Sequence, residues 1–534
     1  MRTNVHHLIE SSLPENAQRP ALTFKKTTLS YGDLWAQTQA VGAGLQSLAL
    51  NRGDRVAVYL DKRIETVTSI FGTSAAGGAF VPVNPLLRAQ QVGYILRDCG
   101  VRVLITSAER LALLSDELAR SSALQHVILV DSGAAATDAA TETARAAAVS
   151  LHHWAEVFAD GAQPAASAAI DVDMAAILYT SGSTGSPKGV VLSHRNLIVG
   201  AESVSSYLQN SADDVILSAL PLSFDAGFSQ LTTGFSVGAH VILMNYLLPA
   251  DVVRLCREHG VTGLTCVPPL WIQIAELSWP PEVAQRLRYF ANTGGRMPKS
   301  TLTTLRSTFT EAKPYLMYGL TEAFRSTYLD PDEVERRPDS IGKAIPNAEI
   351  LVLRADGSRC DAGEEGELVH RGALVALGYW NDPERTAARF KAVPQEDSSW
   401  RVPELAVWSG DTVVADAEGF LYFVGRQDDM IKTSGYRVSP SEIEELVYES
   451  GLVRDAVALG VEDPKLGQRV VLVVSPSASD GADSDALLSY LRHRLPLYMI
   501  PAQVIVKEEL PTSPNGKFDR TLMKQQLTNQ GVSA

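Results

Sequence analysis

The chain has 534 residues, of which 45% are hydrophobic and 20% are charged. This length exceeds that of one ordinary hydrophobic core, so we expect two or more domains. The formal net charge of -14 argues against a protein that coats nucleic acid or an anionic membrane, because those surfaces favour basic partners.

Residues 1–20 lack the basic segment and apolar run of a secretory signal, and no stretch of the sequence is apolar enough to span a membrane. The cysteines Cys99, Cys256, Cys266 and Cys360 are scattered, without the paired spacing of a metal site. We therefore predict a cytoplasmic protein without a disulfide framework.

Short apolar runs alternate with longer helical segments through the first half of the chain. This alternation is typical of α/β layers around a largely parallel sheet. Residues 131–170 are rich in Ala, Thr and Ser with weak apolar periodicity, which predicts a surface connection rather than core. Strands are predicted at 56–60, 80–85, 101–106, 126–130 and 240–244, and helices at 87–98 and 108–120.

The pattern changes to strands and turns from about Ala348 to Gly425, which predicts a β-rich subdomain at about 348–424. We assign residues 1–424 to a large N-terminal α/β domain and residues 425–534 to a small, mobile C-terminal α+β domain.

A helix is predicted to begin after Ser439 in the C-terminal domain. Pro440 suits the first helical turn, and Glu442 stands three residues after Ser439. This spacing predicts a capping box, in which the Ser and Glu side chains each bond the other's backbone N–H.

The strongest local signal is the stretch 179–189, YTSGSTGSPKG, which lies between two apolar runs that predict strands. The backbone N–H groups and hydroxyls of such a loop can turn toward polyphosphate oxygens, and Lys188 adds positive charge. The stretch does not fit the Walker P-loop, because no glycine directly precedes Lys188 and no helix obviously follows.

This loop resembles the signature of the adenylate-forming superfamily, which includes acyl-CoA synthetases, amino-acid adenylation domains and beetle luciferases. Four further stretches resemble that family's motifs in the family's order: 315–323, 408–411, 425–444 and 511–517. The run 318–350 is most similar to acyl-CoA ligases of the exosortase A-associated type.

The resemblance implies that ATP activates a carboxylic acid as an acyl-adenylate and that the acyl group then passes to a thiol. Mg²⁺ is the implied metal, and CoA or phosphopantetheine the implied acceptor. Attack of a carboxylate on the α-phosphate brings two anions together, so positive charge is needed there. By resemblance, Lys517 bridges carboxylate and α-phosphate, and Glu322 with Thr184 holds Mg²⁺.

The resemblance also assigns residues to the nucleotide. Tyr318 offers a flat face to adenine, Gly294 and Gly295 allow close approach to the base, and Asp411 accepts the ribose hydroxyls. The full set is Thr180, Ser181, Gly182, Ser183, Thr184, Gly185, Lys188, Gly294, Gly295, Arg296, Tyr318, Gly319, Thr321, Asp411 and Arg426.

The incoming thiol needs a path to the carbonyl that Lys517 approaches. In the family, the C-terminal domain rotates about a hinge residue, which corresponds here to Asp428. After rotation, Lys432, Gly435 and Arg437 would face the site, with Gly435 leaving room for a pantetheine arm.

The acyl pocket is expected to include Phe224, Asp225 and Ser229. Asp225 falls where amino-acid adenylation domains keep an Asp that pairs with the substrate's ammonium group, which favours an amino acid; alternatively it caps a helix beginning near Ala226. Gln230 and Leu320 depart from those domains and favour acyl-CoA ligases.

Three functions stay open. The chain is an acyl-CoA synthetase, a stand-alone enzyme that loads an amino acid onto a separate carrier protein, or a non-catalytic nucleotide-binding regulator. No carrier module follows Lys517 in this sequence, so we expect an external acceptor. His194, next to the glycine-rich stretch, is expected to have a structural role.

Overall fold

The computed structural model describes residues 1–131, 134–180, 187–295, 297, 299–393, 400, 402–426, 430–476, 483–511 and 519–529. Several residues predicted for the site lie outside the described residues: Ser181, Gly182, Ser183, Thr184, Gly185, Arg296, Asp428 and Lys517.

Strands are distributed along the whole described chain. Their bounds are β1 Pro20–Phe24, β2 Thr27–Ser30, β3 Arg55–Tyr59, β4 Ala79–Pro82, β5 Val103–Thr106, β6 His126–Leu129, β7 Ser150–His153, β8 Met174–Thr180, β9 Lys188–Ser193, β10 Val215–Ser218, β11 His240–Leu243, β12 Gly263–Cys266, β13 Tyr289–Asn292, β14 Lys313–Tyr318, β15 Thr327–Leu329, β16 Ser340–Ala344, β17 Ala348–Leu353, β18 Glu365–Gly372, β19 Gly378–Tyr379, β20 Phe390–Ala392, β21 Leu405–Ala415, β22 Leu421–Arg426, β23 Ile431–Thr433, β24 Tyr436–Val438, β25 Val453–Asp463, β26 Gly467–Pro476 and β27 Gln503–Val506.

Helices connect most of the parallel strands. Their bounds are α1 His7–Glu10, α2 Leu13–Asn16, α3 Tyr31–Ser47, α4 Ile64–Ala76, α5 Ala89–Asp98, α6 Ala108–Ala112, α7 Ser115–Leu118, α8 Ala134–Ala146, α9 Trp154–Val157, α10 His194–Leu208, α11 Asp225–Val237, α12 Pro249–His259, α13 Pro268–Ala275, α14 Pro281–Ala284, α15 Lys299–Thr308, α16 Pro383–Arg389, α17 Pro440–Glu449, α18 Ser484–Arg492 and α19 Arg520–Asn529.

The N-terminal sheet has eight strands in the order β19-β9-β8-β4-β3-β5-β6-β7. Strands β8 and β3 to β7 pair in parallel, whereas β9 pairs antiparallel with β8 and β19. The apolar runs that predicted these strands are buried, as in a parallel sheet covered on both faces.

The long sheet has 14 strands and joins a parallel part to an antiparallel part. Strands β1 and β10 to β14 pair in parallel. Strands β15 to β18, β21 and β22 continue the sheet antiparallel. The antiparallel part contains the segment that the sequence predicted to be rich in strands and turns.

A layer of apolar helices lies between these two sheets. Helix α4 is buried from Thr66 to Ala76, as expected of a helix that is apolar all round. Phe228 of α11 lies 5.1 Å from the ring of Phe80 and 6.1 Å from that of Phe71, centroid to centroid. The main core therefore holds the two sheets together.

A third sheet of five strands, β23 to β27, contains only residues after Gly425. Helices α17 and α18 pack against it and share its apolar core. The predicted α/β class, with a large N-terminal domain and a small C-terminal domain, is confirmed; the predicted domain bounds stay predictions. Among the described residues, none of the helices has the length and apolar character needed to cross a membrane.

The predicted surface connection over residues 131–170 contains a helix that the sequence pattern did not predict. Residues 134–146 form α8, and Ala140 and Ala144 are buried. Their spacing of four places both methyl groups on one helix face. Alanine has the highest helix propensity, so a sequence without large apolar residues still forms a helix that packs closely.

The predicted capping box at Ser439 is wrong, although α17 does begin at Pro440. Ser439 is the N-cap residue but makes no side-chain capping hydrogen bond. Glu442 instead accepts a hydrogen bond from Gln91 Nε2 in α5, at 2.8 Å. A contact between the two domains therefore replaces the local cap.

Replacing Ala140 by Glu tests the packing of α8. We expect the free energy of unfolding to fall by about 2 kcal/mol or more, because an unpaired carboxylate enters an apolar core. Ala139→Glu, at the exposed neighbouring position, should change it by less than about 0.5 kcal/mol. Equal denaturation midpoints for the two variants would contradict the packing of α8 against the core.

Candidate active site

A cavity of about 1540 Å³ opens at the carboxyl ends of the parallel strands of the long sheet. Segments that follow β10, β12, β13 and β14 form its wall, and residues of the C-terminal domain close it. In α/β folds, ligands bind beyond the carboxyl ends of the strands. Of the residues predicted for the site, those that line the cavity are Thr180, Phe224, Asp225, Gly294, Gly295, Tyr318, Gly319, Thr321, Asp411, Lys432, Gly435 and Arg437.

An ion pair between Lys188 and Glu322 lies directly behind this wall. Lys188 begins β9, and Glu322 lies in the short helical turn that follows β14. Lys188 Nζ lies 2.9 Å from Glu322 Oε1 and 2.9 Å from the Tyr379 hydroxyl. That hydroxyl donates to Glu322 Oε1 at 2.6 Å. Strand β19 supplies Tyr379 through its pairing with β9.

Glu322 is 1% exposed, and its carboxylate is held in the ionised form. Burial alone would raise its pKa, but Lys188, Arg437 and Arg389 together hold the pKa of Glu322 well below its usual range. Burial lowers the pKa of Lys188, and Glu322 opposes that shift. The surrounding cations therefore keep the Glu322 carboxylate ionised beside the cavity.

The second carboxylate oxygen of Glu322, Oε2, is buried and has no hydrogen-bond partner among the described atoms. A buried, ionised oxygen without a partner is costly unless a cation binds it. Mg²⁺ prefers oxygen ligands and is commonly held by one or two carboxylates. Glu322 therefore fits a magnesium ligand.

Tyr318 and Asp411 meet at the antiparallel side of the cavity. Tyr318 ends β14, and its hydroxyl donates to Asp411 Oδ2 at 2.5 Å. Asp411 is 4% exposed and belongs to β21, where its backbone pairs with Arg426 of β22. An aromatic ring and a carboxylate therefore stand side by side in the cavity wall.

Asp225 lines the cavity at the start of α11. Helix α11 begins at Asp225 with Phe224 as its N-cap residue, so the alternative that Asp225 is the cap is wrong. Thr321 Oγ1 donates to Asp225 Oδ1 at 3.5 Å, and Asp225 Oδ2 lies 3.7 Å from Arg325 Nη1. Burial raises the pKa of Asp225, and Arg325 opposes that shift.

The structure does not support Ser229 as a pocket residue. Ser229 is buried within α11, its Oγ lies 3.4 Å from Thr233 Oγ1, and it is not part of the cavity wall. Sequence reasoning missed two residues, Tyr379 and Arg325. Arg325 could have been found from the sequence, because it stands three residues after Glu322 of a recognised motif. Tyr379 could not, because only the pairing of β19 with β9 brings it to Lys188.

Phe324 has an unusual backbone that positions its neighbours. Its φ is 56°, a value that bulky L-residues rarely adopt. Its ring is buried against Gly200 of α10, where a Cβ atom would lie 2.5 Å from Phe324 Cδ1. This packing holds the chain reversal between Glu322 and Arg325.

The C-terminal domain closes the cavity with the segment around Gly435. Gly435 has a φ of 81°, and a Cβ atom there would lie 2.8 Å from Val267 Cγ2. The Tyr436 ring packs edge to face on Phe224 at 5.2 Å and stacks on Tyr498 at 3.7 Å. Gly435 and Tyr436 thus contact the part of the cavity wall formed by Val267 and Phe224.

His194 lies away from this chemistry. Its side chain is buried, Nδ1 accepts a hydrogen bond from the backbone N–H of Val5 at 3.2 Å, and burial lowers its pKa to about 4. A neutral histidine that anchors the N-terminal segment agrees with the structural role expected from the sequence.

Comparison with known proteins identifies two family models. The model described as AMP-binding enzyme matches residues 9–380, and the model described as AMP-binding enzyme C-terminal domain matches residues 442–517. Together they cover most of the chain.

Among curated relatives, L-proline--[L-prolyl-carrier protein] ligase of Streptomyces coelicolor is 32% identical over 97% of this chain and 95% of its own length. Long-chain-fatty-acid--CoA ligase of Salmonella typhimurium is 28% identical over 97% of this chain and 94% of its own length. The chain spans only 6% to 13% of the length of other relatives, which are gramicidin and surfactin synthase subunits.

The amide bond synthetase McbA of Marinactinospora thermotolerans shares the fold. Its solved structure has a TM-score of 0.85 and 21% identity to this chain, and the match covers 98% of this chain and 99% of that one.

Replacing Gly200 by Ala tests the support of Phe324. Alanine alone would favour the helix by about 1 kcal/mol, but the Phe324 ring must move to admit the new methyl group. We expect a net loss of about 1–3 kcal/mol in the free energy of unfolding, measured by chemical denaturation.

Ser206→Ala, at an exposed position of the same helix, is the control and should change stability by less than about 0.5 kcal/mol. A more stable Gly200→Ala variant would contradict the tight packing of Phe324 against α10.

Proposed function

The chain belongs to the AMP-binding enzyme family, and we propose that it is an AMP-forming acid–thiol ligase. It activates a carboxylic acid with ATP as an acyl-adenylate, releasing pyrophosphate, and then transfers the acyl group to a thiol with release of AMP. The resemblance to the adenylate-forming superfamily seen in the sequence is confirmed; the exosortase A-associated type stays a prediction.

The buried carboxylate of Glu322 is the observation that carries the proposal. Its Oε1 accepts hydrogen bonds from Lys188 and Tyr379. Its Oε2 has no hydrogen-bond partner among the described atoms. In a purely structural ion pair, a buried carboxylate oxygen left without a partner reduces stability. Mg²⁺ held at Glu322 would neutralise charge on the polyphosphate during attack by the carboxylate. Thr184, the second proposed ligand, lies outside the described residues.

Tyr318 and Asp411 are the proposed nucleoside contacts. Asp411 accepts from the Tyr318 hydroxyl, and in the complex it would accept from the ribose hydroxyls as well. Gly294 and Gly295 line the same cavity, and their lack of side chains leaves room for the base. Thr180 and the loop that follows it would bind the polyphosphate.

The position of Gly435 supports a two-step mechanism with domain rotation. Its segment lies against Val267 and Phe224 on the acyl side of the cavity, as the thioester-forming arrangement requires. Among the described residues, the inter-domain hydrogen bonds from Gln91 and Arg88 are exposed or only partly buried, which favours rotation. Lys517 would then enter the cavity only in the other arrangement.

The acceptor thiol belongs to CoA or to the phosphopantetheine arm of a separate carrier protein. One relative described above is a CoA ligase and another a carrier-protein ligase, and both match nearly the whole chain. The greater identity to the carrier-protein ligase favours carrier loading as the second candidate. The cytoplasmic location stays a prediction from the sequence.

Replacing Lys517 by Ala separates the two half-reactions. We expect the carboxylate-dependent exchange of labelled pyrophosphate into ATP to fall at least about a hundredfold, because the adenylation step loses its bridging charge. Thioester formation from presynthesised acyl-adenylate should survive.

The control is Lys465→Ala, which removes an exposed lysine of the same domain and should leave both rates unchanged. Equal loss of both half-reactions in Lys517→Ala would contradict the two-arrangement mechanism.

Replacing Glu322 by Gln tests the magnesium site. The amide retains the shape of the side chain but not its charge, so we expect pyrophosphate exchange to fall about a hundredfold and to need more Mg²⁺ for half-saturation. Exchange measured across a magnesium titration gives both quantities.

Glu335→Gln, at a side chain that is 85% exposed, is the matched control. An unchanged magnesium dependence in Glu322→Gln, in a variant that still folds, would remove Glu322 from the metal site.

A further inference from the structure

Arg325 brings a buried positive charge to the acyl side of the cavity. It is 2% exposed and forms part of the cavity wall. Its Nη1 donates to Thr293 Oγ1 at 3.0 Å and lies 3.7 Å from Asp225 Oδ2. Its Nε is buried and has no hydrogen-bond partner among the described atoms. The guanidinium is therefore incompletely satisfied.

Lys62 brings a second buried cation to the same wall. It is 7% exposed, and its Nζ donates to the backbone carbonyls of Ser218 at 2.6 Å and Leu220 at 3.0 Å. Both acceptors are neutral. Burial lowers the pKa of Lys62 to about 7, so this ammonium is poorly stabilised within the described part of the chain.

The charges around Asp225 favour an anionic ligand over a cationic one. Asp225 already faces Arg325, and the distance of 3.7 Å is too long for a strong bidentate pair. An ammonium group on the substrate would compete with the guanidinium for Asp225. A carboxylate beside the guanidinium would instead add a second negative charge to that of Asp225, the acidic group that faces Arg325 among the described residues.

We propose that the activated acid is a dicarboxylic acid, whose second carboxylate pairs with Arg325 at the end remote from the carboxylate that is adenylated. The inference rests on the proposed function, because it names the substrate of that same cavity. Asp225 holds Arg325 in place and, since burial raises its pKa, can also take up a proton and donate to the bound carboxylate. Lys62 adds positive charge to the wall.

A buried guanidinium discriminates strongly between acids that do and do not satisfy it. A monocarboxylic acid of equal length would leave the missing hydrogen bond of the Arg325 guanidinium unmade. A site built for a polar group rejects an analogue that lacks it much more strongly than an apolar pocket distinguishes methylenes. We therefore expect at least about a tenfold difference in kcat/KM.

The test is pyrophosphate exchange by the full chain with matched acids. Succinate, glutarate and adipate are compared with butyrate, pentanoate and hexanoate, and with the corresponding ω-amino acids. Aryl acids and long-chain fatty acids complete the panel. The expected result is one diacid whose kcat/KM exceeds that of its monocarboxylic and amino partners at least about tenfold.

Two substitutions assign the preference to Arg325. Arg325→Leu should abolish the advantage of the diacid, and Arg325→Lys should retain part of it, because the charge remains without the planar geometry. Asp225→Asn should raise kcat/KM for the diacid relative to amino acids. ATP binding and the unfolding midpoint of each variant show whether it is folded.

The outcomes distinguish failure of the diacid assignment from failure of the proposed ligase activity. Exchange with monocarboxylic, aryl or amino acids but with no diacid would overturn the inference and leave the proposed ligase standing. A diacid preference that persists in a folded Arg325→Leu variant would also overturn it. Exchange with none of the acids would count against the ligase activity itself, and the inference would fall with it.

Discussion

The ion pair between Lys188 and Glu322 joins the two large sheets at the wall of the cavity. Lys188 begins a strand of the N-terminal sheet, and Glu322 follows a strand of the long sheet. Because a buried ion pair is stable only when both partners are in place, this part of the cavity wall forms only when the sheets are docked. The helix layer with Phe228 supplies that docking through apolar burial.

Buried charges with incomplete hydrogen bonding lie in the cavity wall and directly behind it. Glu322, Arg325 and Lys62 are each less than one tenth exposed, and each has a polar contact that is missing or made only with neutral groups. Such groups reduce folding stability. Their value lies in preorganisation, since fixed charges need not reorient when a charged substrate binds.

The α/β fold and the family could be predicted from the sequence because both depend on motifs that are local and follow a fixed order. Strands β8 and β9 flank the glycine-rich loop, as predicted. Tyr318, Thr321 and Asp411, which belong to separate motifs, line one cavity. Prediction from the sequence failed where contacts between distant segments determine the structure. The alanines of α8 pack without a strong apolar pattern in the sequence. Glu442 accepts a hydrogen bond from Gln91 instead of forming the predicted cap. Strand β19 brings Tyr379 to Lys188, although the two residues are 191 positions apart. Pairing between distant segments leaves no local pattern to detect.

The reversed backbone at Phe324 links chemical competence to the rigidity of the core. A φ of 56° in a bulky residue stores strain of about 1–3 kcal/mol, which persists only while the surrounding packing enforces it. That packing comes from Gly200 of α10, which supplies space for the Phe324 ring and no reactive side chain. Because the strain persists only while α10 packs against Phe324, we expect that loosening of this packing on warming relaxes the turn between Glu322 and Arg325 before the chain unfolds. Thermal inactivation of the enzyme would thus precede its global melting.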